Sequence, residues 1–442
     1  MVPYVKMFRD AWCVKKRAFL RTTHHAPSVI YILAVLVLSL LVGCATSAEP
    51  TATPLPTATR TPRPTFTPAA TITPPATLPP PVNATAIPTV SALNPPVEAL
   101  PKGGYSCEDY PCPGDKEGWE SRLRVPNGFS AEHITVIPDN PTSLTFGPDG
   151  LLYAATMTGT IHTIDANGTV ATVYEGLRVP VGTAFQPNTN RLYVSDRVSN
   201  DEARVGYIDF DTGDYTQLFD GVPCCYAGMH AANGLAFGPD GYLYVAVGAI
   251  ADHGEVLNTD EQAELHPWEA SILRVSPDGN TVENYARGIR NAYDIAWDAN
   301  GQLYASNNGP DYGPPDTLYR VVPNGEHGYP WYVCDNCFGP APEGVDIVPP
   351  AHEFIPHSAP TGITAYLNKQ FPGYYNNLFV VLWSAFEGAQ KIVRLAPNGA
   401  GATDFATGFA APIDVTISPN GALYVVDWAT GDLFKISYTG EG

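Results

Sequence analysis

Positive charge is scarce in this chain. Its 442 residues hold 24 lysines and arginines against 44 aspartates and glutamates, a formal net charge of −20. Phosphate backbones are gripped by basic faces, so this deficit argues against a nucleic-acid partner. The carboxylate excess suits calcium and other hard cations, and it serves plain solubility equally well. Long apolar runs are scarce too. The run at residues 29–43 has fifteen residues, which suits a signal-peptide core better than a spanning helix of about 20. Cys334-Asp-Asn-Cys337 has no second CxxC to complete a zinc site, and Phe338 stands where a haem-attachment motif needs histidine.

What is abundant is turn chemistry and aromatics: 24 Tyr, 40 Gly and 44 Pro, with only 15% charged residues. That composition points to a large, turn-rich β protein. At the N-terminus, Lys6, Arg9, Lys15, Lys16, Arg17 and Arg21 precede the apolar run, in the order of a secretory signal. The run ends Leu41-Val42-Gly43-Cys44, which resembles the bacterial lipobox, where the cysteine is lipidated and becomes the mature N-terminus. An uncleaved anchor is the other reading, and both put the remainder outside the cytoplasm, attached to the cell membrane. Residues 49–101 are Thr-Pro-Ala-rich, as in TATPLPTATRTPRPTFTP, and bury too little to offset chain entropy, so an extended stalk is expected. The expected divisions are a lipoprotein signal peptide (1–44), a disordered stalk (45–101), an N-terminal extension (102–128) and a globular domain (129–442).

Six further cysteines form three local pairs: Cys107 and Cys112, the vicinal Cys224 and Cys225, and Cys334 and Cys337. Outside the cytoplasm an even count favours disulfides, and local pairing is one of fifteen connectivities.

The chain repeats one phrase. In residues 228–248, GMHAANGLAFGPDGYLYVAVG, a β-rich run, a Gly-Pro-Asp-Gly turn and a second β-rich run read as a hairpin. Related phrases begin at Ser143, Gly182, Gly234, Asp294, Gly362 and Asp414, with the anchors Tyr153, Tyr193, Tyr244, Tyr304, Phe379 and Tyr424 in their second runs. Each is followed by another β-rich pair. Four short strands per unit, recurring every roughly 40 to 75 residues, is a propeller signature. The expected fold is all-β, a six-bladed β-propeller, in which residues 132–137 complete the last blade and residues 107–124 pack outside it.

In such a ring, residues before the first strand of each blade and after the second share one face at the central channel. Insertions gather there, so the site is expected there. His230 could serve as a general base or merely bond backbone. Arg290 and Asn291 suit an anionic or carbonyl-rich ligand, or an ion pair. The loop holding Gly309, Pro310 and Asp316 offers carbonyls and carboxylates for calcium. Arg178 and Arg197 are further cations on this face.

Taken together, these stretches resemble the glucose/sorbosone dehydrogenase family, quinoproteins that carry pyrroloquinoline quinone on a six-bladed propeller. HAANGLAFGPDGYLYVAVG resembles its catalytic-histidine blade, SILRVSPDG with ARGIRNAYDIAW the next blade start, and PPDTLYRVVPNGEHGYPWYV its PPDEL…GGxYGWPY segment. HSAPTGITAYLNKQFPGYYNNLFVVLWSAF is closer to the sorbosone-type branch. The resemblance covers roughly residues 125–440. It implies that His230 takes the proton of a sugar hydroxyl while hydride passes to the quinone, that Arg290 and Asn291 polarise the quinone oxygens, and that the backbone carbonyls of Gly309 and Pro310 hold a calcium. Arg178 or Arg197, by their place on this face, are the cations expected to compensate for those the family has elsewhere. The family's cofactor-clasping cations align with Trp383 or Ser384, Ala411 and Ile413, none of them basic. A tricarboxylate bound there lacks counter-charges. The expectation is a surface-anchored, calcium-dependent quinoprotein oxidising a sugar or related alcohol or aldehyde and passing electrons to a separate acceptor. Two alternatives are a propeller that has lost the quinone and serves as a binding module, and a calcium-dependent lactonase-type hydrolase.

Overall fold

The computed structural model describes residues 105–440 apart from 227–228, 257–258, 312 and 335–336. The signal segment, Cys44 and the Thr/Pro stalk lie outside the described residues. Among the described residues no helix is long and apolar enough to cross a membrane.

Among the described residues one short helix, α1 (Lys116–Arg122), precedes 24 strands arranged as six four-stranded antiparallel sheets. The first blade is β2 (Pro141–Phe146), β3 (Leu152–Thr156), β4 (Thr160–Ile164) and β5 (Val170–Glu175), and the second is β6 (Thr183–Phe185), β7 (Arg191–Arg197), β8 (Glu202–Asp209) and β9 (Asp214–Pro223). The third blade comprises β10 (Ala232–Phe237), β11 (Leu243–Val247), β12 (Ser271–Val275) and β13 (Val282–Arg287). The fourth follows with β14 (Ala292–Trp297), β15 (Leu303–Asn307), β16 (Thr317–Arg320) and β17 (His352–Glu353). β18 (Pro360–Ala365), β19 (Leu378–Leu382), β20 (Lys391–Leu395) and β21 (Thr403–Thr407) make the fifth, and β22 (Pro412–Ile417), β23 (Leu423–Asp427) and β24 (Asp432–Tyr438) the sixth. The sixth blade takes its outer strand from the other end of the chain: β1 (Phe129–Val136) pairs antiparallel with β24, Phe129 opposite Tyr438 and Val136 opposite Asp432. The expected six-bladed propeller, closed by the segment before the first repeat, is the observed fold.

Polar staples join the blades around the ring. Thr142 Oγ1 of the first blade donates to the Pro180 carbonyl ahead of the second at 2.7 Å, and Ser195 Oγ of the second to Asn233 O of the third at 2.8 Å. Asn233 Nδ2 reaches Ala292 O of the fourth at 2.9 Å, Ser306 Oγ reaches Thr361 O of the fifth at 2.5 Å, and Tyr366 Oη reaches Gly421 O of the sixth at 2.8 Å. The Asp414 carboxylate closes the circle by accepting from Leu144 N at 2.6 Å. Strands and turns leave backbone groups facing the neighbouring blade, and these side chains satisfy them.

The N-terminal extension packs against the outermost strand of the sixth blade, where Lys116 Nζ and Glu120 Oε1 of α1 bond the His133 backbone of β1, and it buries apolar side chains there. Trp119 of α1 is fully buried in a cluster with Phe405, Phe409 and Phe434, its ring 5.4 Å from that of Phe434. Phe129 packs edge-on against Phe371, Tyr374, Phe405 and Tyr438 with centroids 4.8 to 5.5 Å apart. Aromatics of this size contribute about 1.5–3 kcal/mol each on burial, so this cluster helps hold the segment ahead of the propeller to its fifth and sixth blades.

Candidate active site

The repeat anchors do local work first. Tyr153 and Tyr244 donate to Asp149 and Asp240 in their own hairpin turns at 2.9 and 3.0 Å, fixing where the second strands run. Those strands carry the chain to the channel face, where His230 stands just ahead of β10 and Asn291 just ahead of β14. Gly248, which follows β11, brings them together. A Cβ there would lie 2.5 Å from Asn291 Oδ1 and 2.9 Å from His230 Cα, so only glycine lets the two side chains share this spot.

His230 is buried, and its Nδ1 lies 2.9 Å from the Ala249 carbonyl oxygen. A carbonyl only accepts, so Nδ1 carries the proton and Nε2 keeps a lone pair. Nε2 has no hydrogen-bond partner among the described residues. Burial, and then the Arg290 cation, holds the imidazole well below its ordinary pKa, while the Ala249 bond acts in the opposite direction. The histidine is therefore neutral at pH 7. Tyr226 stands edge-on beside it, ring centroids 5.0 Å apart, and Tyr226 O accepts from His230 N.

Asn291 is buried, its Oδ1 accepting from Asn233 Nδ2 at 2.8 Å, and its own amide NH2 has no partner among the described residues. Arg290 is buried against Asp252: Nη2 meets Asp252 Oδ1 at 2.5 Å, Nε meets Asp252 O at 2.8 Å and Nη1 meets Asn308 O at 3.1 Å. Asp252 also accepts from Asp311 N at 3.2 Å, and His253 Nε2 lies 2.7 Å from Asp311 O. The Arg290 carbonyl also accepts from Ala249 N at 2.7 Å, so Arg290 ties the backbone that holds His230 to Asn308, ahead of Gly309 and Pro310.

That loop is crowded with carbonyl oxygens. A Cβ on Gly309 would sit 2.8 Å from Pro314 O and 3.1 Å from Pro315 O, and the Gly309 carbonyl accepts no hydrogen bond among the described residues. Pro310 O accepts from Gly313 N at 3.2 Å. Asp316, expected as a metal ligand, is engaged inside the protein. Its Oδ1 accepts from Gly309 N at 2.7 Å, and its Oδ2 from Ala359 N at 2.8 Å and Ser358 Oγ at 3.3 Å. It ties the loop to the start of the fifth blade.

Arg178, expected beside the cofactor, is exposed, and its guanidinium serves its own blade through Asn200 Oδ1 at 2.6 Å and Val198 O at 3.4 Å. Its neighbour Arg197 differs. Its Nε and Nη2 are buried with no acceptor among the described residues, and burial, then the Arg178 charge, lowers its pKa to about 10. On the far side of the channel, Trp383 and Trp428 meet edge to face at 5.8 Å and pack in one cluster with Met229, the residue before His230. Ala411, at a position where the family resemblance implies a clasping cation, is held by Asp427 at 2.7 Å and gives its carbonyl to Trp428 N.

The structure pairs Cys107 with Cys112, Cys224 with Cys225 and Cys334 with Cys337. Cys334, Cys337 and His253 lie within metal-ligating distance of one another. Joined sulfurs leave no thiolate, and the ring nitrogens of His253 face Asp252 and Asp311. Cys224 packs with Ala203 and Ala231 beside His230. Three residues of this neighbourhood carried no signal of their own in the sequence: Tyr226, Asn233 and Asp252. Only their proximity to a blade start or end placed them on the right face.

The family model described as Glucose / Sorbosone dehydrogenase matches residues 138–435. An uncharacterized protein of Borreliella burgdorferi is 27% identical over 284 residues, 59% of this chain and 72% of the other. An aldose sugar dehydrogenase of Escherichia coli is 25% identical over 250 residues, 51% of this chain, and the match spans 64% of that protein's length. Among solved structures, the PQQ-bound aldose sugar dehydrogenase of Streptomyces coelicolor superposes with a TM-score of 0.55 at 20% identity, covering 71% of this chain and 99% of that one.

Proposed function

Because this chain belongs to the glucose/sorbosone dehydrogenase family, we propose that it is a quinoprotein oxidoreductase acting on a sugar or a related alcohol or aldehyde outside the cytoplasm, anchored to the membrane through Cys44. The observation that carries this reading is the state of His230. It is a buried, neutral imidazole whose tautomer is fixed by Ala249 and whose Nε2 has no partner among the described residues. A base in that condition removes a proton from a hydroxyl without first having to shed one of its own.

The unfilled donors suit a polycarboxylate quinone: the Asn291 amide NH2 and the orphaned nitrogens of Arg197. Asn291, with Arg290 behind it, would hold quinone oxygens, and the carbonyls of Gly309 and Pro310 would hold a calcium. When bound, pyrroloquinoline quinone supplies the acceptor for the two electrons leaving the substrate carbon. The chain supplies the rest. His230 accepts the hydroxyl proton at Nε2, Ala249 holds the ring, and burial together with the Arg290 cation favours the neutral imidazole. A separate acceptor takes the electrons onward.

One observation favours the alternative of a binding module without quinone: the clasping positions Trp383, Ala411 and Ile413 are apolar and packed. The full-length chain, purified in detergent and incubated with calcium and pyrroloquinoline quinone, decides between them. Retained quinone absorbance and dye reduction with a panel of sugars are expected. Absence of retained quinone at micromolar cofactor overturns the proposal, and lactone hydrolysis without quinone would establish hydrolase chemistry instead.

A further inference from the structure

Arg197 ends β7, and strand alternation fixes the side it faces. Leu192 and Val194 pack in one cluster with Tyr153 and Ile161 of the first blade. Tyr193 and Ser195 face the third blade: Tyr193 meets Phe237 edge-on at 5.0 Å, and Ser195 Oγ donates to Asn233 O at 2.8 Å. Moving from Tyr193 to Ser195 carries the contact back along β10 from Phe237 to Asn233, and the next step on the same side brings Arg197 to the level of residues 229–231. The cross-strand partner agrees. Ala203 stands opposite Arg197, and its side chain packs with Cys224 and Ala231, the residue after His230.

Arg204, half-buried like Arg197, and the buried Arg290 both have anions. Arg204 is doubly bonded to Asp196 at 2.7 and 2.9 Å, and Arg290 to Asp252. Arg197 has none among the described residues; its Nε and Nη2 are buried without an acceptor, and the charge that acts on it is the like charge of Arg178. A half-buried cation with two orphaned nitrogens destabilises the empty protein, and an anion arriving from solution relieves it.

We propose that Arg197 is a ligand-binding residue of the His230 site, a carboxylate clasp on the second blade that takes a carboxyl group of the quinone in place of the cations missing at Trp383, Ala411 and Ile413. This rests on the quinoprotein reading above. The clasp has moved around the ring, from the fifth and sixth blades to the second.

The test uses the full-length chain in detergent with calcium, titrated with pyrroloquinoline quinone and followed by tryptophan fluorescence. Arg197→Gln is expected to weaken quinone binding by about thirtyfold or more, with a shallower dependence on salt, since a charge-assisted pair is lost. Arg197→Lys, a point charge in place of the planar fork, recovers part of the affinity. The quinone-free Arg197→Met protein should melt at or above the wild-type temperature, because an uncompensated buried charge is gone. Equal quinone affinity in wild type and Arg197→Gln overturns the assignment and leaves the proposed function standing. A melting temperature several degrees lower for Arg197→Met also overturns it, since the arginine would then serve the fold. Absence of quinone binding by the wild type overturns the proposed function itself, and the quinone clasp with it.

Discussion

His230 donates through Nδ1 to the backbone carbonyl of Ala249 at 2.9 Å. This bond joins the residue ahead of the third blade's first strand to the residue beyond its second, so the hairpin itself sets the tautomer of the candidate base. A side chain held by the backbone of its own blade keeps its orientation whether or not a ligand is present.

Replacing His230 by Gln should therefore separate binding from chemistry. Gln can still donate to Ala249 but cannot take a proton, and general-base catalysis typically contributes about 10²–10⁴-fold. The expected result is dye reduction lowered by about that factor with quinone affinity changed by less than about threefold. Unchanged turnover would remove His230 from the mechanism.

The pH profile follows from the same environment. The reactive form is neutral, and burial together with Arg290 keeps the imidazole well below its usual pKa. Activity, followed as kcat/KM, should be flat through about pH 6.5 and decline only in more acidic solution. An inflection near about 6.5 would mean that His230 titrates like an exposed histidine.

Gly248 is expected to be intolerant of even a methyl group. A Cβ would press on Asn291 Oδ1 and the His230 backbone at distances that real Cβ atoms do not show. Gly248→Ala should lower kcat by about tenfold or more through misplacement of the base, while the thermal midpoint stays within a few degrees of wild type. A fully active Gly248→Ala protein would show that the contact can relax.

Buried carboxylates give a stability signature of opposite sign to the usual one. Asp294 of β14 is raised to about 7 by burial, against hydrogen bonds from Ile363 N and Ile295 N. Its folded pKa exceeds its unfolded value of about 3.9, so the folded state holds the proton longer and stability is lost as pH rises from about 4 to about 7. An asparagine at this position carries no such penalty and can keep the Ile363 bond. The stability of Asp294→Asn relative to wild type should thus rise across that window and level off above it, as measured by urea denaturation at several pH values. A constant difference would show that Asp294 is ionised throughout.

The extension ahead of the propeller shows where reading by pattern reaches its limit. Residues 107–124 carry no repeat phrase, which predicts a place outside the ring. The segment does lie on the outermost strand of the sixth blade, but there Trp119 is completely buried against aromatics of the fifth and sixth blades, which the pattern does not announce. The insertion between β18 and β19 supplies Tyr366, Phe371 and Tyr374 to the same cluster, and no local spacing announces that two unrelated segments will meet.

The sequence alone determined the ring: Tyr and Phe anchors in each second strand, Gly-Pro-Asp-Gly and related turns, and six copies of a four-strand unit. Those signals are local, because strand alternation and turn geometry depend on neighbours a few residues apart. From them also came the face of the ring and the standing of His230, Arg290 and Asn291 upon it. Which groups are left unsatisfied there was decided only by the tertiary structure. Asp252 takes Arg290, Asn200 and Val198 take Arg178, and Gly309, Ser358 and Ala359 take Asp316, whereas Nε and Nη2 of Arg197 and the NH2 of Asn291 meet no partner among the described residues. Such partnerships join residues far apart in the chain, and a polar group's chemistry depends on who has already bonded it.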